Sequence, residues 1–393
     1  MIKREHYLKK IRPFYDSDLI KIITGIRRCG KSIILMEIYE EISKRTDNVI
    51  FIDFEDALNI KKAGTVEKLL AYIDKNRKDG KCYIFLDEIQ NVKDWAVAVR
   101  TLRLHDNSVF ISGSNSKLLS NEFATELSGR YVSFRIRPFV YKEIQEYANE
   151  LGKEIGIMDY LIWGGFPKRI EMSTEEETKQ YIQDLKETIV IKDLIKRYKI
   201  KRIELFRRVV NFVLSTNSRK ISARSIYKSI KNEGFTCSSN TILGYLYYLK
   251  QAYVIDELPQ YSTKAKRELK NVQKSYNADV SFNSLNVNNG RYDFDHNLEN
   301  IVYNELLFKG YDLTVFDNKG KEIDFRATKN GKTYMVQVAY SVVDDKAYNR
   351  EFGAFADLDN TNQKILITND DVDFSTSTVR HIKLKDFLVM EDF

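Results

Sequence analysis

Short apolar runs alternate with amphipathic stretches along the first 140 residues of the chain. The runs are rich in β-branched and aromatic residues and have the length of buried strands. They lie at Leu19–Thr24, Val49–Phe54, Cys82–Asp87, Val109–Gly113 and Tyr131–Ile136. Helical spacing follows the first run, from Ser32 to Tyr39, and separates the second and third, from Val66 to Asn76. This alternation predicts an α/β domain whose parallel sheet carries helices on both faces.

The pattern turns helical after Pro138 and stays so to about residue 255, with Gly164–Pro167 and Gly234 as interruptions. Residues 222–230 and 239–249 predict two helices joined by a turn, with Ser239 as the N-cap of the second. We expect Val254–Leu258 and the basic stretch Lys264–Lys270 to form a small hairpin, or wing, after them. From about Tyr276 the pattern is mixed, with a helix at 298–306 and strands near 312–316, 322–327, 333–339 and 364–368.

The composition is that of a folded protein with more than one domain. The chain has 393 residues, 43% hydrophobic and 30% charged, which predicts two or three globular domains. Its cysteines, Cys29, Cys82 and Cys237, are too scattered for a disulfide framework or a zinc cluster and favour a reducing compartment. No stretch approaches the ~18 apolar residues of a membrane span, and the N-terminus has no apolar signal region. We therefore expect a cytoplasmic protein that does not insert into membranes.

The net charge of +7 is distributed unevenly along the chain. Residues 1–195 are nearly neutral, whereas residues 196–275 hold 18 basic and 5 acidic side chains. Residues 276–393 hold 13 basic and 20 acidic side chains. Clustered lysine and arginine favour binding to a polyanion, because they neutralise phosphates and release counterions. The alternative is a solvated basic face that docks on the acidic C-terminal third.

The first strand is followed by a phosphate-binding sequence. Residues 25–32, GIRRCGKS, match G-x-x-x-x-G-K-[ST] at every fixed position. Between a buried strand and a helix, this loop turns backbone N–H groups and the helix N-terminus towards phosphates. Lys31 is expected to contact the β and γ phosphates of a nucleotide, and Ser32 to ligate Mg²⁺. The predicted nucleotide-binding residues are Gly25, Arg28, Cys29, Gly30, Lys31, Ser32, Ile33 and Asp87.

The third strand ends in two acids that complete this site. Asp87 is expected to act on the Mg²⁺ shell. Glu88 follows directly, at the position from which a carboxylate can polarise an attacking water. The pair therefore predicts ATP hydrolysis rather than passive nucleotide binding.

Two further residues are candidates for a role in hydrolysis. The fourth strand ends in polar residues, among which Asn115 or Ser114 could orient the water, although Gly-Ser-Asn is also ordinary turn chemistry. Arg130 is a candidate for a transition-state arginine, supplied within the chain or by a neighbouring copy. Its competitors by spacing are Arg100, Arg103 and Arg137.

These motifs together resemble a family of bacterial and archaeal AAA-type ATPases that carry a C-terminal restriction-endonuclease-like domain of uncharacterised function. The resemblance spans nearly the whole chain and rests on residues 25–32, 86–90, 112–120, 127–131, 164–167 and 322–325. It implies an α/β P-loop NTPase core at 1–140, a helical lid at 141–200, a winged helix at 201–275 and the nuclease-like domain at 276–393. It also implies that Asn115 is the sensor and that Arg130 reads the nucleotide state.

The basic segment offers candidate DNA contacts in the implied winged helix. The second helix is expected to expose Ser238, Asn240, Thr241 and Tyr245 towards phosphates or base edges. The basic and polar candidates for double-stranded DNA are Arg224, Lys228, Asn240, Thr241, Lys264, Lys266 and Arg267. Winged helices also serve as protein-docking modules, so a protein partner is the alternative.

The implied nuclease-like domain departs from the metal-binding pattern of such enzymes. Glu299 on a helix and Asp324 on a strand are the expected acids. Gln337 stands where a second acid is expected, and Ala339 stands where a lysine is expected. The site therefore lacks one negative ligand and the group that would activate water. We expect a vestigial site at Glu299, Asp324 and Gln337.

The leading hypothesis is an ATPase, with ATP and Mg²⁺, whose nucleotide state drives a DNA-binding winged helix. A second hypothesis is a regulatory NTPase switch that binds a protein partner, and a third is an ATP-dependent nuclease. Arg130 acting on a neighbouring copy would require a homo-oligomer, which no sequence feature establishes.

Overall fold

The computed structural model describes residues 2–114, 129–261, 273–285, 291–318, 320–356, 358–359 and 361–393. The chain packs into two compact units, one formed by 1–138 with 251–253 and the other by 139–250 with 254–393. The finer division into four domains stays a prediction. Along the described parts of the chain, no helix combines the length and the apolar character needed to cross a membrane.

The first unit is built on a parallel five-stranded sheet. Its strands are β1 (Ile20–Thr24), β2 (Val49–Asp53), β3 (Tyr83–Asp87), β4 (Ser108–Gly113) and β5 (Tyr131–Arg135). They lie in the order β2-β3-β4-β1-β5, and every pair is parallel. The helices of this unit are α1 (Glu5–Ile11), α2 (Lys31–Ser43), α3 (Ala57–Ala63), α4 (Val66–Asn76) and α5 (Trp95–Leu104). Strand β4 therefore separates β1 from β3.

Helices cover both faces of this sheet, as the sequence predicts. Alternate residues of the strands, such as Ile22 and Ile84, form one core cluster with Leu69 of α4 and Val99 of α5. On the other face, Phe85 stacks on Phe110 with ring centroids 4.6 Å apart. Tyr39 of α2 packs edge-on against Phe85. Because side chains alternate across a strand, the two sets point to opposite faces.

The second unit opens with helices α6 (Tyr141–Glu150), α7 (Ile157–Trp163), α8 (Glu175–Leu185) and α9 (Asp193–Tyr198). Thr174 caps α8 through a capping box, in which its hydroxyl accepts from the Glu177 N–H and the Glu177 carboxylate accepts from the Thr174 N–H. A π-helical turn, Lys186–Lys192, joins α8 to α9.

Three helices and a three-stranded antiparallel sheet follow. The helices are α10 (Ile203–Ser215), α11 (Ala223–Asn232) and α12 (Ser239–Gln251), and the strands are β6 (Arg219–Ile221), β7 (Ile255–Leu258) and β9 (Gln273–Asn277). The strand order is β6-β9-β7. The N-cap of α12 is Ser238, whose hydroxyl accepts from the Thr241 N–H at 3.2 Å, so the expected Ser239 cap is displaced by one residue. The described partner of Ile255–Leu258 is Gln273–Asn277, and the expected Lys264–Lys270 partner lies outside the described residues.

The last part of the second unit is a mixed six-stranded sheet. Its strands are β8 (Gln260–Tyr261), β10 (Asp312–Asn318), β11 (Lys321–Lys329), β12 (Lys332–Ala339), β13 (Gln363–Thr368) and β14 (Val379–Lys383), in the order β14-β13-β12-β11-β10-β8. Strand β11 runs antiparallel to both of its neighbours, β10 and β12, whereas β13 and β14 run parallel to β12. The accompanying helices are α13 (Ser281–Ser284), α14 (Phe294–Phe308), α15 (Asp345–Ala354) and α16 (Leu384–Val389).

Candidate nucleotide site

The phosphate loop connects β1 to α2 at the carboxyl edge of the sheet. Gly25 has a φ of 143°, and a Cβ there would lie 2.1 Å from the Ile136 carbonyl oxygen. Gly30 adopts a left-handed φ of 98° directly before the first helical residue, Lys31. Glycine has no Cβ and adopts a positive φ without strain, so it suits both the close contact at Gly25 and the left-handed backbone at Gly30. These two positions therefore fix the path of the loop.

The side chains of the other loop residues, Arg27, Arg28 and Cys29, differ in burial and in their contacts. Cys29 is buried, and its thiol donates to the Ile136 carbonyl at 3.3 Å. Burial raises the pKa of this thiol. Arg28 is exposed at a left-handed φ of 68°, whereas Arg27 pairs with Glu55. Cys29 therefore packs the loop against the chain after β5, and only its backbone is available to a phosphate.

Lys31 points into the site from the first turn of α2. Its side chain is 3% exposed, and its Nζ donates to the Ile26 carbonyl at 3.2 Å. The same Nζ lies 3.9 Å from Glu88 Oε1. The ammonium group of Lys31 therefore lies between a loop carbonyl and a carboxylate. A phosphate oxygen could replace the long contact with Glu88, because a charged acceptor gives a stronger hydrogen bond.

Asp87 is buried at the end of β3, beside the loop. Ser112, at the end of the neighbouring strand β4, donates its hydroxyl proton to Asp87 Oδ1. Ser32 is a second hydrogen-bond partner of this carboxylate. Burial raises the pKa of Asp87, and the hydrogen bonds from Ser112 and Ser32 oppose that rise. The hydroxyl of Ser32 and the carboxylate of Asp87 are thus adjacent, and these hard oxygen donors suit Mg²⁺.

Glu88 follows with a left-handed backbone, φ 49°. Its N–H donates to Ser112 Oγ at 3.1 Å. Its carboxylate accepts from the Gln90 amide and, at 3.4 Å, from the Ser114 hydroxyl. Left-handed geometry is uncommon for a residue other than glycine and is found at functional sites where surrounding bonds hold it. Ser112 thus holds the Glu88 backbone, and Gln90 and Ser114 orient the Glu88 carboxylate.

The two remaining candidates for a role in hydrolysis are Asn115, with Ser114 as its alternative, and Arg130. Asn115 lies outside the described residues, while Ser114, its alternative, contacts Glu88. Arg130 precedes β5, and its carbonyl accepts from the N–H of Ile20 at the amino end of β1. The phosphate loop follows the carboxyl end of the same parallel pair, whose register runs from Ile20 to Thr24. The Arg130 backbone and the phosphate loop therefore lie at opposite ends of this strand pair, and the role of Arg130 in hydrolysis stays a prediction.

Two residues that the sequence pattern did not single out support the site. The buried Arg4 guanidinium donates from Nη1 to the carbonyl of Cys29 at 3.1 Å and to that of Arg137 at 3.0 Å. It thereby ties the loop to the segment after β5. Asp53, the last residue of β2, is in register with Asp87 and adds a further carboxylate to this edge. No local motif marks Arg4, because its partners are 25 and 133 residues away in the sequence.

The predicted nuclease-like residues lie together in the second unit. The N–H of Asp324 donates to Gln337 Oε1 at 3.2 Å, and Gln337 Nε2 donates to Glu351 Oε2 at 2.7 Å. Glu299 joins them through Lys274, whose Nζ lies 2.7 Å from Glu299 Oε1 and 2.8 Å from Asp324 Oδ1. Within the described residues, no group of three or more histidine, cysteine, aspartate or glutamate side chains is arranged to hold a metal ion.

The described DNA candidates lie on two helices. Arg224 and Lys228 are exposed on α11, and Asn240 is exposed on the first turn of α12. Thr241 is half-buried, and its hydroxyl is hydrogen-bonded to that of Ser238 at 3.0 Å. Lys264, Lys266 and Arg267 lie outside the described residues.

One expected exposure on α12 is wrong. Tyr245 is buried and packs edge-on against Phe206, with ring centroids 5.0 Å apart. The exposed tyrosine is Tyr247, two residues later. The helical phase is set by how α12 packs on α10, which the local sequence does not reveal.

Comparison with known proteins agrees with this geometry. Residues 17–145 match a family model described as an AAA domain, and residues 155–289 match one described as a domain of unknown function (DUF8612). An uncharacterised protein of Haemophilus influenzae is 31% identical over 379 residues, covering 94% of this chain and 93% of that protein. An uncharacterised protein of Methanocaldococcus jannaschii is 32% identical over 381 residues, covering 90% and 82%.

Among solved structures, the Walker-type ATPase of Pyrococcus abyssi is similar in fold. It aligns with a TM-score of 0.52 at 14% identity, over 73% of this chain and 96% of that one.

Proposed function

We propose that this protein hydrolyses ATP to ADP and phosphate. The chain belongs to the same family as the uncharacterised proteins of Haemophilus influenzae and Methanocaldococcus jannaschii. It also carries an AAA domain. Its first unit has a P-loop ATPase fold. The observation that carries the proposal is the convergence of Lys31, Asp87 and Glu88 at one sheet edge. A loop for phosphates, an acid beside a hydroxyl, and a second, aimed acid are the parts that hydrolysis requires.

Each of these residues has a separate role in the proposed reaction. The loop N–H groups and Lys31 bind the phosphates of ATP and neutralise charge as the γ-phosphoryl group leaves. Ser32 and Asp87 would hold Mg²⁺, which would supply positive charge to stabilise the phosphates. Glu88 orients the attacking water and accepts its proton. The hydrogen bonds from Ser114 and Gln90 hold the Glu88 carboxylate in one position for that step.

We propose further that helices α10–α12 with strands β6, β7 and β9 form a winged helix that binds double-stranded DNA. Three helices with a sheet in the order β6-β9-β7 support this fold. Arg224, Lys228 and Lys231 are exposed at helical spacing along α11. They form a basic stripe within the most basic segment of the chain, where phosphate contacts are expected.

The first experiment is ATP hydrolysis by the full chain with and without double-stranded DNA. Glu88→Gln serves as the blank, since it should still bind ATP but not turn over, whereas Lys31→Ala should lose nucleotide binding. We expect DNA to stimulate the wild type and not Glu88→Gln. Equal turnover in Glu88→Gln would remove Glu88 as the base.

A matched pair of variants tests the basic stripe. Arg224→Ala/Lys228→Ala/Lys231→Ala should weaken DNA binding and reduce the salt dependence of binding by about one unit per lost phosphate contact. Its control removes the same charge from exposed positions of the acidic C-terminal part, Lys332→Ala/Lys346→Ala/Arg380→Ala. Equal DNA affinity and salt dependence for both triple variants would exclude the stripe from the DNA contact.

One observation favours the alternative of a protein partner. Leu243 and Tyr247 lie one turn apart on α12 and are 52% and 53% exposed. Apolar side chains at a recognition surface suit a protein better than a phosphate backbone. ATP turnover that depends on Glu88 and is unchanged by DNA would favour this regulatory switch. In that case Leu243→Ser/Tyr247→Ser should lose binding to the protein partner.

A further inference from the structure

The carboxylates of the nuclease-like cluster surround a lysine from another part of the chain. Lys274 belongs to β9, and its Nζ lies 2.7 Å from Glu299 Oε1, 2.8 Å from Asp324 Oδ1 and 2.9 Å from Glu322 Oε1. Its side chain is only 5% exposed. An ammonium group has three N–H donors. Two of these carboxylates, Glu322 and Asp324, accept hydrogen bonds from Nζ, and Glu299 adds an ion-pair contact.

The other bonding positions of these acids are also used by the protein. Asp324 Oδ2 accepts from the Val338 N–H at 3.0 Å, and Glu299 Oε1 also accepts from the Tyr276 hydroxyl at 2.6 Å. The Gln337 amide is bound on both sides, to the Asp324 N–H and to Glu351. Mg²⁺ requires six oxygen ligands in nearly octahedral geometry. These acids have their bonds directed to protein donors instead.

We infer that the Lys274 ammonium occupies the cation position of this cluster, so that the nuclease-like centre is a closed ion-pair joint that excludes divalent metal. A metal ion among the same carboxylates would meet the positive charge of Lys274 at short range and would have to displace it. The fold resembled in the sequence implies a metal here, and the residues present do not fit one.

The charge state of Lys274 agrees with this role. Burial alone would lower its pKa, but Asp324, Glu299 and Glu322 outweigh burial and hold the pKa of Lys274 well above its ordinary value. Breaking such a pair by removing one partner leaves buried charge uncompensated, so the joint is costly to open.

The joint connects two sheets of the second unit. Lys274 lies on the central strand of the three-stranded sheet, while Glu322 and Asp324 lie on β11 of the six-stranded sheet. Lys220 of β6 pairs with Glu322 as well. The acids of the cluster thereby hold the proposed DNA-binding module to the C-terminal sheet.

Mn²⁺ binding to the nucleotide-free full chain, measured by electron paramagnetic resonance, tests the inference. Four proteins are compared: the wild type, Asp324→Asn, Lys274→Met, and Lys274→Met/Asp324→Asn. All four share the same phosphate loop, so any Mn²⁺ bound there cancels in the comparison. We expect the wild type and Asp324→Asn to bind equally. Lys274→Met should gain a site that the double variant loses.

Three outcomes would overturn the inference. Mn²⁺ binding by the wild type that is lost in Asp324→Asn would show that Lys274 does not exclude the metal. Asp324-dependent cleavage of supercoiled DNA by the wild type with Mn²⁺ would do the same and would support the nuclease alternative. Absence of any gain in Lys274→Met would show that Lys274 is not what keeps the metal out.

A second variant covers the case in which Lys274→Met does not fold. Lys274→Gln is one atom shorter than lysine, keeps an N–H donor and removes the charge. Mn²⁺ should raise the melting temperature of Lys274→Gln and leave that of the wild type unchanged. Equal shifts in both proteins would contradict the inference. The comparison of wild type with Asp324→Asn requires neither lysine variant.

Discussion

Ser112 donates a hydrogen bond to the Asp87 carboxylate, and the same hydroxyl accepts from the Glu88 N–H at 3.1 Å. One side chain of β4 thus orients both acids at the end of β3. This link depends on β4 lying directly beside β3 in the sheet. Ser112 itself would touch neither ATP nor water in the proposed reaction, so it is a positioning residue.

Ser112→Ala is expected to slow ATP hydrolysis roughly tenfold to a hundredfold. Losses of this size are typical when a hydrogen bond that orients a metal ligand is removed. Nucleotide binding should change little, because Lys31 and the loop are untouched. Turnover and ATP affinity measured on the same preparation separate the two effects. Ser43→Ala, at the exposed end of α2, is the control. Wild-type turnover in Ser112→Ala would mean that the loop and strand backbone alone hold the acids.

The local pattern was enough to predict the five strands of the ATPase core and two of its described helices, α2 and α4. The five apolar runs became β1 to β5, each with one end shifted by one residue, and Val66–Asn76 became α4 without change. These elements follow from side-chain periodicity, which is local. In the C-terminal part, four strands were predicted, while β8, β9 and β14 were not singled out. Gln260–Tyr261 is too short to show a period, and Gln273–Asn277 is largely polar.

The residues that support the two clusters could not be predicted in the same way. Lys274 is 50 residues from Asp324 in the sequence, and Arg4 is 133 residues from Arg137. Such contacts depend on which strands become neighbours, and no motif records them. The sequence therefore predicted that a lysine is missing at Ala339, but it did not predict that Lys274 lies within the cluster.

Arg4→Met should weaken ATP binding. The substitution removes the hydrogen bonds to the carbonyls of Cys29 and Arg137, so the loop is no longer tied to the segment after β5. The loss of about 1.5 kcal/mol for a hydrogen bond from a charged group corresponds to roughly tenfold in affinity. Titration of a fluorescent ATP analogue measures it. Arg4→Lys should recover part of the affinity, and Lys9→Met, exposed on α1, should match the wild type. Wild-type affinity in Arg4→Met would contradict this role.

The Gly164–Pro167 motif is a packing joint in the second unit. A Cβ at Gly165 would lie 1.9 Å from the Phe139 carbonyl oxygen. The Gly165 N–H donates to the buried Asp279 carboxylate at 2.7 Å. Because the clash is with backbone, neighbouring side chains cannot relieve it by changing rotamer.

Gly165→Ala is therefore expected to destabilise the protein by more than about 2 kcal/mol, in the range of severe core substitutions. Gly353→Ala is a control of opposite sign, since Gly353 lies in α15 with open space around its Cα. Alanine there should stabilise the helix by about 0.5 to 1 kcal/mol. Thermal unfolding of both variants gives the comparison, and a shift of the same sign in both would contradict the packing argument.

Lys21 is a fully buried lysine on β1 of the ATPase core. Its Nζ donates to the Ser17 carbonyl at 3.0 Å and to Ser108 Oγ at 2.8 Å, and it lies 4.6 Å from the centroid of the Phe110 ring. Burial lowers the pKa of Lys21 to about 7, and the nearby Lys81 adds to the effect, while Asp16 and Asp18 oppose it. The folded state therefore favours the neutral amine.

The depressed pKa predicts the direction of a pH effect on stability. In the unfolded chain the lysine keeps its ordinary pKa of about 10.5, so between about pH 7 and pH 10 the unfolded state binds more protons than the folded state. Stability contributed by Lys21 should therefore rise with pH across this window. In Lys21→Met that contribution is absent, and the urea midpoint of the wild type relative to this variant should increase from pH 7 to pH 9. Lys62→Met, at an exposed position, should show no such trend. Parallel pH profiles for the wild type and Lys21→Met would mean that the buried ammonium stays protonated in the folded protein.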